Sequence, residues 1–152
     1  MRISRRITSA AVTPVLLAAV LLTGGQPAAH AAPYDGSDPV GTGCDASART
    51  VGRADIGGGD ALLELRYSSG CKTAWARITI TNGRPCEPGN DNCARAIVHR
   101  DSDGLEYGCQ TEDDPARHSC YTAQVNDDGV TSYAHGSIDV GPYTHTGETG
   151  HH

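Results

Sequence analysis

Ala61-Leu62-Leu63-Glu64-Leu65-Arg66-Tyr67 decides the fold of this chain. Leu63, Leu65 and Tyr67 alternate with Glu64 and Arg66, the period of two of a strand buried on one face. The same period returns in Thr73-Ala74-Trp75-Ala76-Arg77-Ile78-Thr79-Ile80, where Ala74, Ala76, Ile78 and Ile80 share one face and Thr73, Trp75, Arg77 and Thr79 the other. Upstream, residues 51–56 read as a weaker strand, joined to the first by Gly57-Gly58-Gly59-Asp60, which suits a hairpin or bulge. Downstream, residues 94–100, 105–110, 119–125 and 130–140 read as further short strands, the last with Val130, Ala134, Ile138 and Val140 on one face. Turn-rich segments separate them, including Asn126-Asp127-Asp128-Gly129. Six or seven strands at spacings near ten residues, with no amphipathic helical run, predict an all-β fold. We expect a small antiparallel, disulfide-stapled sandwich or partly open barrel.

The two ends read differently. Residues 1–31 carry Arg2, Arg5 and Arg6, then an apolar stretch from Ala10 to Leu22, then Ala29-His30-Ala31, an A-x-A cleavage site. This is the three-part pattern of a secretory signal peptide, so the mature chain is expected to begin at Ala32 and to be secreted and extracellular. Residues 32–43 hold two Pro, three Gly and two Asp with no periodicity, and are expected to form an extended N-terminal tail. The disulfide-stapled β-domain is placed at 44–142 and a frayed C-terminal tail at 143–152. His151 and His152 read either as a native end or as the stub of a purification tag, and are left out of any metal argument.

Composition narrows the function classes. The chain has 152 residues, and removing the signal with its three arginines leaves 9 of the 12 basic residues against all 18 acidic ones, a formal charge of −9. A nucleic-acid partner requires a basic face, which this composition does not offer. No apolar run beyond the N-terminus is long enough to cross a membrane as a helix. Only 15 Val, Ile and Leu remain after Ala31 and there is no Phe, so the core is thin and the six cysteines must supplement it.

Six cysteines allow fifteen connectivities. Cys86 and Cys93 flank a turn-rich insert, and Cys109 and Cys120 flank an acidic loop, so a bridge across each neck is favoured and Cys44 is left with Cys71. Zinc fits poorly: there is no C-x-x-C pair, and the spacings of 27, 15, 7, 16 and 11 match no finger or ribbon. No metal and no other cofactor is therefore expected.

Catalytic motifs are weak. Asp101-Ser102-Asp103-Gly104 resembles the start of a calcium loop without its later ligands, and reads more simply as a solvated turn. His99, His118, His135 and His145 are available, and Ser137 follows His135-Gly136, but no G-x-S-x-G elbow exists. We expect a protein that is not an enzyme. Two regions qualify as partner-binding. Trp75 and Arg77 share a strand face with Thr73 and Thr79; either Trp75 points outward as an interface anchor or it fills the core. The tail Ala32-Pro33-Tyr34-Asp35-Gly36-Ser37-Asp38-Pro39 could add a strand to a partner or lie in its groove.

Leu63-Glu64-Leu65-Arg66-Tyr67-Ser68, Cys71 and Ala74-Trp75-Ala76-Arg77, with Asp35-Gly36-Ser37-Asp38-Pro39 and Gly43-Cys44 upstream, resemble the YjfA-like family of secreted proteins of actinobacteria and some bacilli. The resemblance covers residues 35–80. Some secreted members resemble the adaptor subunit of the umbrella toxin particles of Streptomyces. The resemblance then implies a non-enzymatic adaptor between a lectin subunit with a degenerate trypsin-like domain and a large repeat-bearing toxin polypeptide, in an antibacterial complex. It places residues 32–39 in the lectin's cleft and the globular domain on the toxin's repeats. The competing readings are a stand-alone secreted protease inhibitor presenting the Cys86–Cys93 loop, and a cell-surface structural protein. No nucleic-acid or membrane partner is expected in any of the three.

Overall fold

The structure is a computed structural model that describes residues 32–87, 89 and 92–152. The expected signal peptide lies outside the described residues. Among the described residues nine strands run in the order β1 (Ala48–Ile56), β2 (Ala61–Ser68), β3 (Thr73–Ile80), β4 (Ala94–Arg100), β5 (Glu106–Gln110), β6 (Ser119–Tyr121), β7 (Val125–Asn126), β8 (Ser132–Val140) and β9 (Tyr143–Glu148). They form two antiparallel sheets. One has the order β1-β2-β3-β6, with β7 also on the free edge of β3; the other has the order β5-β4-β8-β9. The all-β antiparallel expectation holds, and of the sandwich and the partly open barrel left open, the two separate sheets packed on one core make a sandwich.

The alternation read from the sequence sets the core. Leu63 and Leu65 of β2, Ala74, Ala76 and Ile78 of β3, Ala96 and Val98 of β4, and Ala134 and Ile138 of β8 are all fully buried in one cluster. Small residues let the two sheets close on each other. A Cβ at Gly136 of β8 would lie 2.7 Å from the Arg95 carbonyl and 3.1 Å from Leu63, so only glycine fits there. The β1–β2 hairpin turns through Gly57, Gly58 and Gly59, whose φ angles of 67°, 71° and 108° lie where a side chain is strained.

All three disulfides form as the flanking positions favoured: Cys44–Cys71, Cys86–Cys93 and Cys109–Cys120. The third joins β5 of one sheet to β6 of the other, closing one open side of the sandwich. Three disulfides in a small β domain fit an extracellular protein. Among the described residues no helix is long and apolar enough to cross a membrane.

Three expectations need correction. The segment 119–125 is not one strand: β6 and β7 are separated by residues 122–124, where Thr122 turns back to donate its amide to Ala76 and its hydroxyl accepts from the Ala76 amide. Residues 143–152 are not frayed. β9 pairs with β8 from Val140↔Tyr143 to His135↔Glu148, and the backbone of His152 exchanges both bonds with Ser132. Residues 32–43 are not an extended tail. They form consecutive turns laid against the domain, held by bonds that composition cannot show. The Gly36 amide donates to Gln124 O and the Gln124 amide to Ser37 O, each at 3.0 Å.

Candidate functional site

The anchor of the N-terminal segment is an ion pair. One guanidinium nitrogen of Arg100 donates to both Asp35 oxygens at 2.9 Å, and the Asn126 amide donates to Asp35 Oδ1 at 2.6 Å. Both side chains are under one-tenth exposed. The remaining Arg100 donors reach Asp103 at 2.9 and 2.6 Å. Two carboxylates on one guanidinium push the Arg100 pKa up, and the bonds from Arg100 hold Asp103 down at about 2. Beyond Asp35 the chain is tied by Gln124, whose amide nitrogen donates to Ser37 and Thr42 at 2.9 Å while its carbonyl accepts from Thr73 at 2.6 Å. Pro39 is buried, and Cys44 behind it is fixed by its bridge to Cys71.

This segment runs beside the outer face of the first sheet. Strand register gathers the polar side chains there: Arg53 and Arg77 stand opposite Glu64, and Thr50 and Trp75 stand opposite Arg66. Glu64 is only 4 % exposed. It accepts from Thr50 Oγ1 at 2.7 Å and from Nε of Arg77 at 2.7 Å, with Arg53 Nε 3.6 Å away. Burial pulls the Glu64 pKa up, but the bonds from Thr50 and Arg77 and the charges of Arg77 and Arg66 outweigh it, so the net shift is downward and the carboxylate stays ionised. Arg66 is in a different position. It donates to Thr50 Oγ1 at 2.6 Å and to Ala48 O at 3.4 Å, and makes no ion pair among the described residues. Burial first, then the charges of Arg77 and Arg53, lower its pKa against the opposing pull of Glu64.

Trp75 resolves into neither of the alternatives read from the sequence. It lies on the outer face, outside the apolar core cluster, yet is only 4 % exposed. It is therefore not a free anchor. The edge it keeps lines a cleft of about 250 Å³ with Val40, Asp45, Arg66, Arg77 and Tyr121. Val40 and Tyr121 form an apolar rim, 53 % and 45 % exposed. Burial and the nearby Asp38 carboxylate push the Tyr121 phenol up. The Asp38 carboxylate also accepts the Val40 amide at 3.0 Å, which fixes the turn carrying Val40.

The predicted partner-binding residues thus divide. Ala32, Pro33 and Tyr34 remain at the surface, with Tyr34 at φ 73°, a strained left-handed turn capped by Ser37. Asp35, Ser37 and Pro39 are structural anchors, Gly36 joins the backbone pairing with Gln124, and Asp38 braces the cleft rim. Trp75 and Arg77 lie at the cleft itself. Sequence reasoning missed Val40, Asp45 and Tyr121 as neighbours of that pair; their contact depends on where the N-terminal segment folds back, for which no local signal exists. Arg66 carried such a signal, since it shares the Glu64 face of β2.

The other motifs are placed plainly. Asp101 accepts from Thr131 and His151, and Asp103 is spent on Arg100, so the calcium-like loop is an internally bonded turn. His99 Nδ1 lies 2.8 Å and His135 Nε2 3.9 Å from the same Glu106 oxygen on the outer face of the second sheet. Ser137 shares a shallow trough there with His135, Arg95, Ile97 and Thr146. Among the described residues, the cluster of metal-type ligand atoms is Cys86, Cys93 and Glu112, whose two sulfurs are consumed in their own disulfide. A larger cleft of about 430 Å³ opens between β5 and β6 over the Cys109–Cys120 bridge.

Residues 32–135 match the family described as "Protein of unknown function (DUF2690)". The chain is also 35 % identical over 113 residues to "Uncharacterized protein YjfA" of Bacillus subtilis (strain 168), a match covering 68 % of this chain and 69 % of that one. No solved structure matches the chain.

Proposed function

We propose that this chain, which belongs to the family described as Protein of unknown function (DUF2690), is a secreted, non-enzymatic adaptor. In this reading it links a lectin subunit to a large repeat-containing toxin polypeptide in an extracellular antibacterial complex. One observation supports a binding role most directly. The two regions singled out as partner-binding, the N-terminal segment and the Trp75–Arg77 pair, meet at one cleft with an exposed apolar rim of Val40 and Tyr121. Aromatic and arginine side chains in a partly desolvated recess are the usual composition of an interface anchor. The disulfide framework supports the extracellular setting.

The docked segment changes how this role works. A freely extended tail would enter a partner's groove as a strand. Here residues 35–39 are committed to the fold, so the presented elements are the short end at residues 32–34 and the cleft beside Val40. Deleting residues 32–43 would remove Asp35 and the backbone pairing with Gln124, and would destabilise the fold as well as take away a binding element. The test therefore uses point variants. The protein, tagged and recovered from native culture supernatant, is expected to bring down a lectin-domain polypeptide and a repeat-bearing polypeptide, identified by mass spectrometry. Val40→Asp, with unchanged melting temperature, should lose at least one of them. Recovery of the parent as a monomer free of both polypeptides would overturn the adaptor reading.

A further inference from the structure

The outer face of the first sheet holds an imbalance of charge. Arg53, Arg66 and Arg77 surround the single buried carboxylate of Glu64. Arg77 satisfies that carboxylate from two nitrogens and Arg53 supports it, while Arg66 bonds only to a hydroxyl and a backbone carbonyl. A half-buried guanidinium with spare donors in a positive local field is an anion seat. Of the other acids nearby, Asp38 is engaged by the Val40 amide and faces Tyr121, and Asp45 sits exposed on the cleft lining. The cleft at Arg66 also offers the edge of Trp75 and the exposed side chains of Val40 and Tyr121. Its volume, about 250 Å³, admits two or three side chains and not a folded domain.

We infer that this cleft receives an extended acidic segment of a partner protein, seating an aspartate or glutamate carboxylate on Arg66 and a neighbouring apolar side chain between Trp75, Val40 and Tyr121. The inference rests on the binding-module reading above and adds the chemistry of what is bound. Charge complementarity carries the choice. It is local to Arg66: Arg53 and Arg77 already share the Glu64 carboxylate, so the third arginine of the group is left without an acid of its own in a chain that is otherwise acidic. The bidentate fork of arginine adds geometric selection for carboxylate over amide.

The chain contains one tryptophan, Trp75, so its fluorescence reports on this cleft alone. The probe is an eight-residue peptide of alternating glutamate and valine, blocked at both ends, with the glutamine–valine peptide as its neutral counterpart. The full mature protein should show a saturable change in emission with the glutamate peptide, and binding about tenfold weaker or worse with the glutamine peptide, as expected for a charge-assisted contact. Arg66→Gln should lose about tenfold for the acidic peptide only, while Arg95→Gln on the opposite sheet leaves binding unchanged. Where Arg66→Gln lowers the melting temperature, Arg66→Lys serves instead: it keeps the charge, loses the fork and should bind at an intermediate strength. Equal binding of the two peptides, binding of neither, or indifference to both Arg66 variants would overturn the inference. Loss of partners in Val40→Asp but not in Arg66→Gln would sink the carboxylate seat and leave the adaptor reading standing; recovery of the parent with no partner sinks the adaptor reading itself.

Discussion

The outer faces of the two sheets are built by the same alternation and end in opposite conditions. On β2 and β3 the outward residues Glu64, Thr73 and Trp75 are nearly as buried as the core: Gln124, which ties down the N-terminal segment, bonds to Thr73, arginines and Thr50 close round Glu64, and Trp75 keeps only an edge in the cleft that Val40 and Tyr121 rim. On β4 and β8 the outward residues His99, Tyr133 and His135 stay half-buried, their rings 4.8 and 6.0 Å apart, and are covered only at one side by His151. Period-two patterning determines which side of a strand faces out. It carries no information on whether that side meets water or another part of the chain. Two short segments distant in sequence make the difference here, and they convert a polar sheet face into a second, smaller packed layer.

The largest expected effect tests that second layer. Trp75→Ala should cost about 3–5 kcal/mol in unfolding free energy, the range for truncating a buried large aromatic, even though Trp75 lies outside the apolar core cluster. Tyr133→Ala on the open face should stay within about 1 kcal/mol. Urea titrations of the two variants check the contrast, and equal losses would erase the distinction between a covered and an open face. Next comes the anchor. Asp35→Asn leaves Arg100 with one carboxylate instead of two inside a buried site, and should cost about 3 kcal/mol. It should also shift the Trp75 emission to longer wavelength as the segment lifts and water reaches the ring. A loss of stability without that shift would mean that Asp35 does not hold the cover in place.

Much of the sandwich was legible for local reasons. Leu63, Leu65, Ala74, Ala76, Ile78 and Ile80 declare their face within eight residues each, and Cys86–Cys93 and Cys109–Cys120 bracket short loops whose closure is nearly forced. The N-terminal cover was illegible because its bonds are distant: Asp35 and Arg100 are 65 positions apart, and Ser37 and Gln124 are 87 apart. A turn-rich, aliphatic-poor segment has the composition of a loose tail whether or not partners await it. β9 was missed for a related reason. Tyr143-Thr144-His145-Thr146-Gly147-Glu148 is a polar edge strand that packs close to the core where it has no side chain: a Cβ at Gly147 would come within 2.8 Å of Ile56. Of the candidate cleft, Trp75 and Arg77 were visible as one strand face and Arg66 as the Glu64 face of another strand, while Val40 and Tyr121 reach it only through the fold.

Acid should act on the anchor of the N-terminal segment and on the covered face through carboxylates held below their ordinary range. Asp103, bonded to Arg100, titrates at about 2 against 3.8 when unfolded, and Glu64 is also lowered. A depressed folded pKa means that the stabilisation is complete above the unfolded value and is lost as pH falls toward the folded one. The stabilisation these two carboxylates contribute should therefore be level above about pH 5 and be lost between about pH 4 and pH 2. Asp103→Asn should be less stable than the parent at pH 5, with the gap closing by pH 2. A gap of constant size across that interval would show that Asp103 contributes by packing and not by charge.

The smallest effect belongs to the open face. His99 Nδ1 and Glu106 Oε1 lie 2.8 Å apart on directly opposed positions of β4 and β5, an ideal separation for an ion-paired hydrogen bond. Distance alone would rank this contact with Asp35–Arg100. Solvent decides otherwise: the Glu106 side chain is 48 % exposed, whereas Asp35 is 7 % exposed, so water competes for every bond that Glu106 makes. A double-mutant cycle with His99→Ala, Glu106→Ala and both together isolates the pair from the packing each residue also provides. The coupling should be no more than about 0.5 kcal/mol, and lower still in 0.5 M salt, since exposed charges are screened over a few ångströms. A coupling as large as that across Asp35 and Arg100 would mean that the second face is as firmly organised as the first, and that cover by the N-terminal segment is not what separates them.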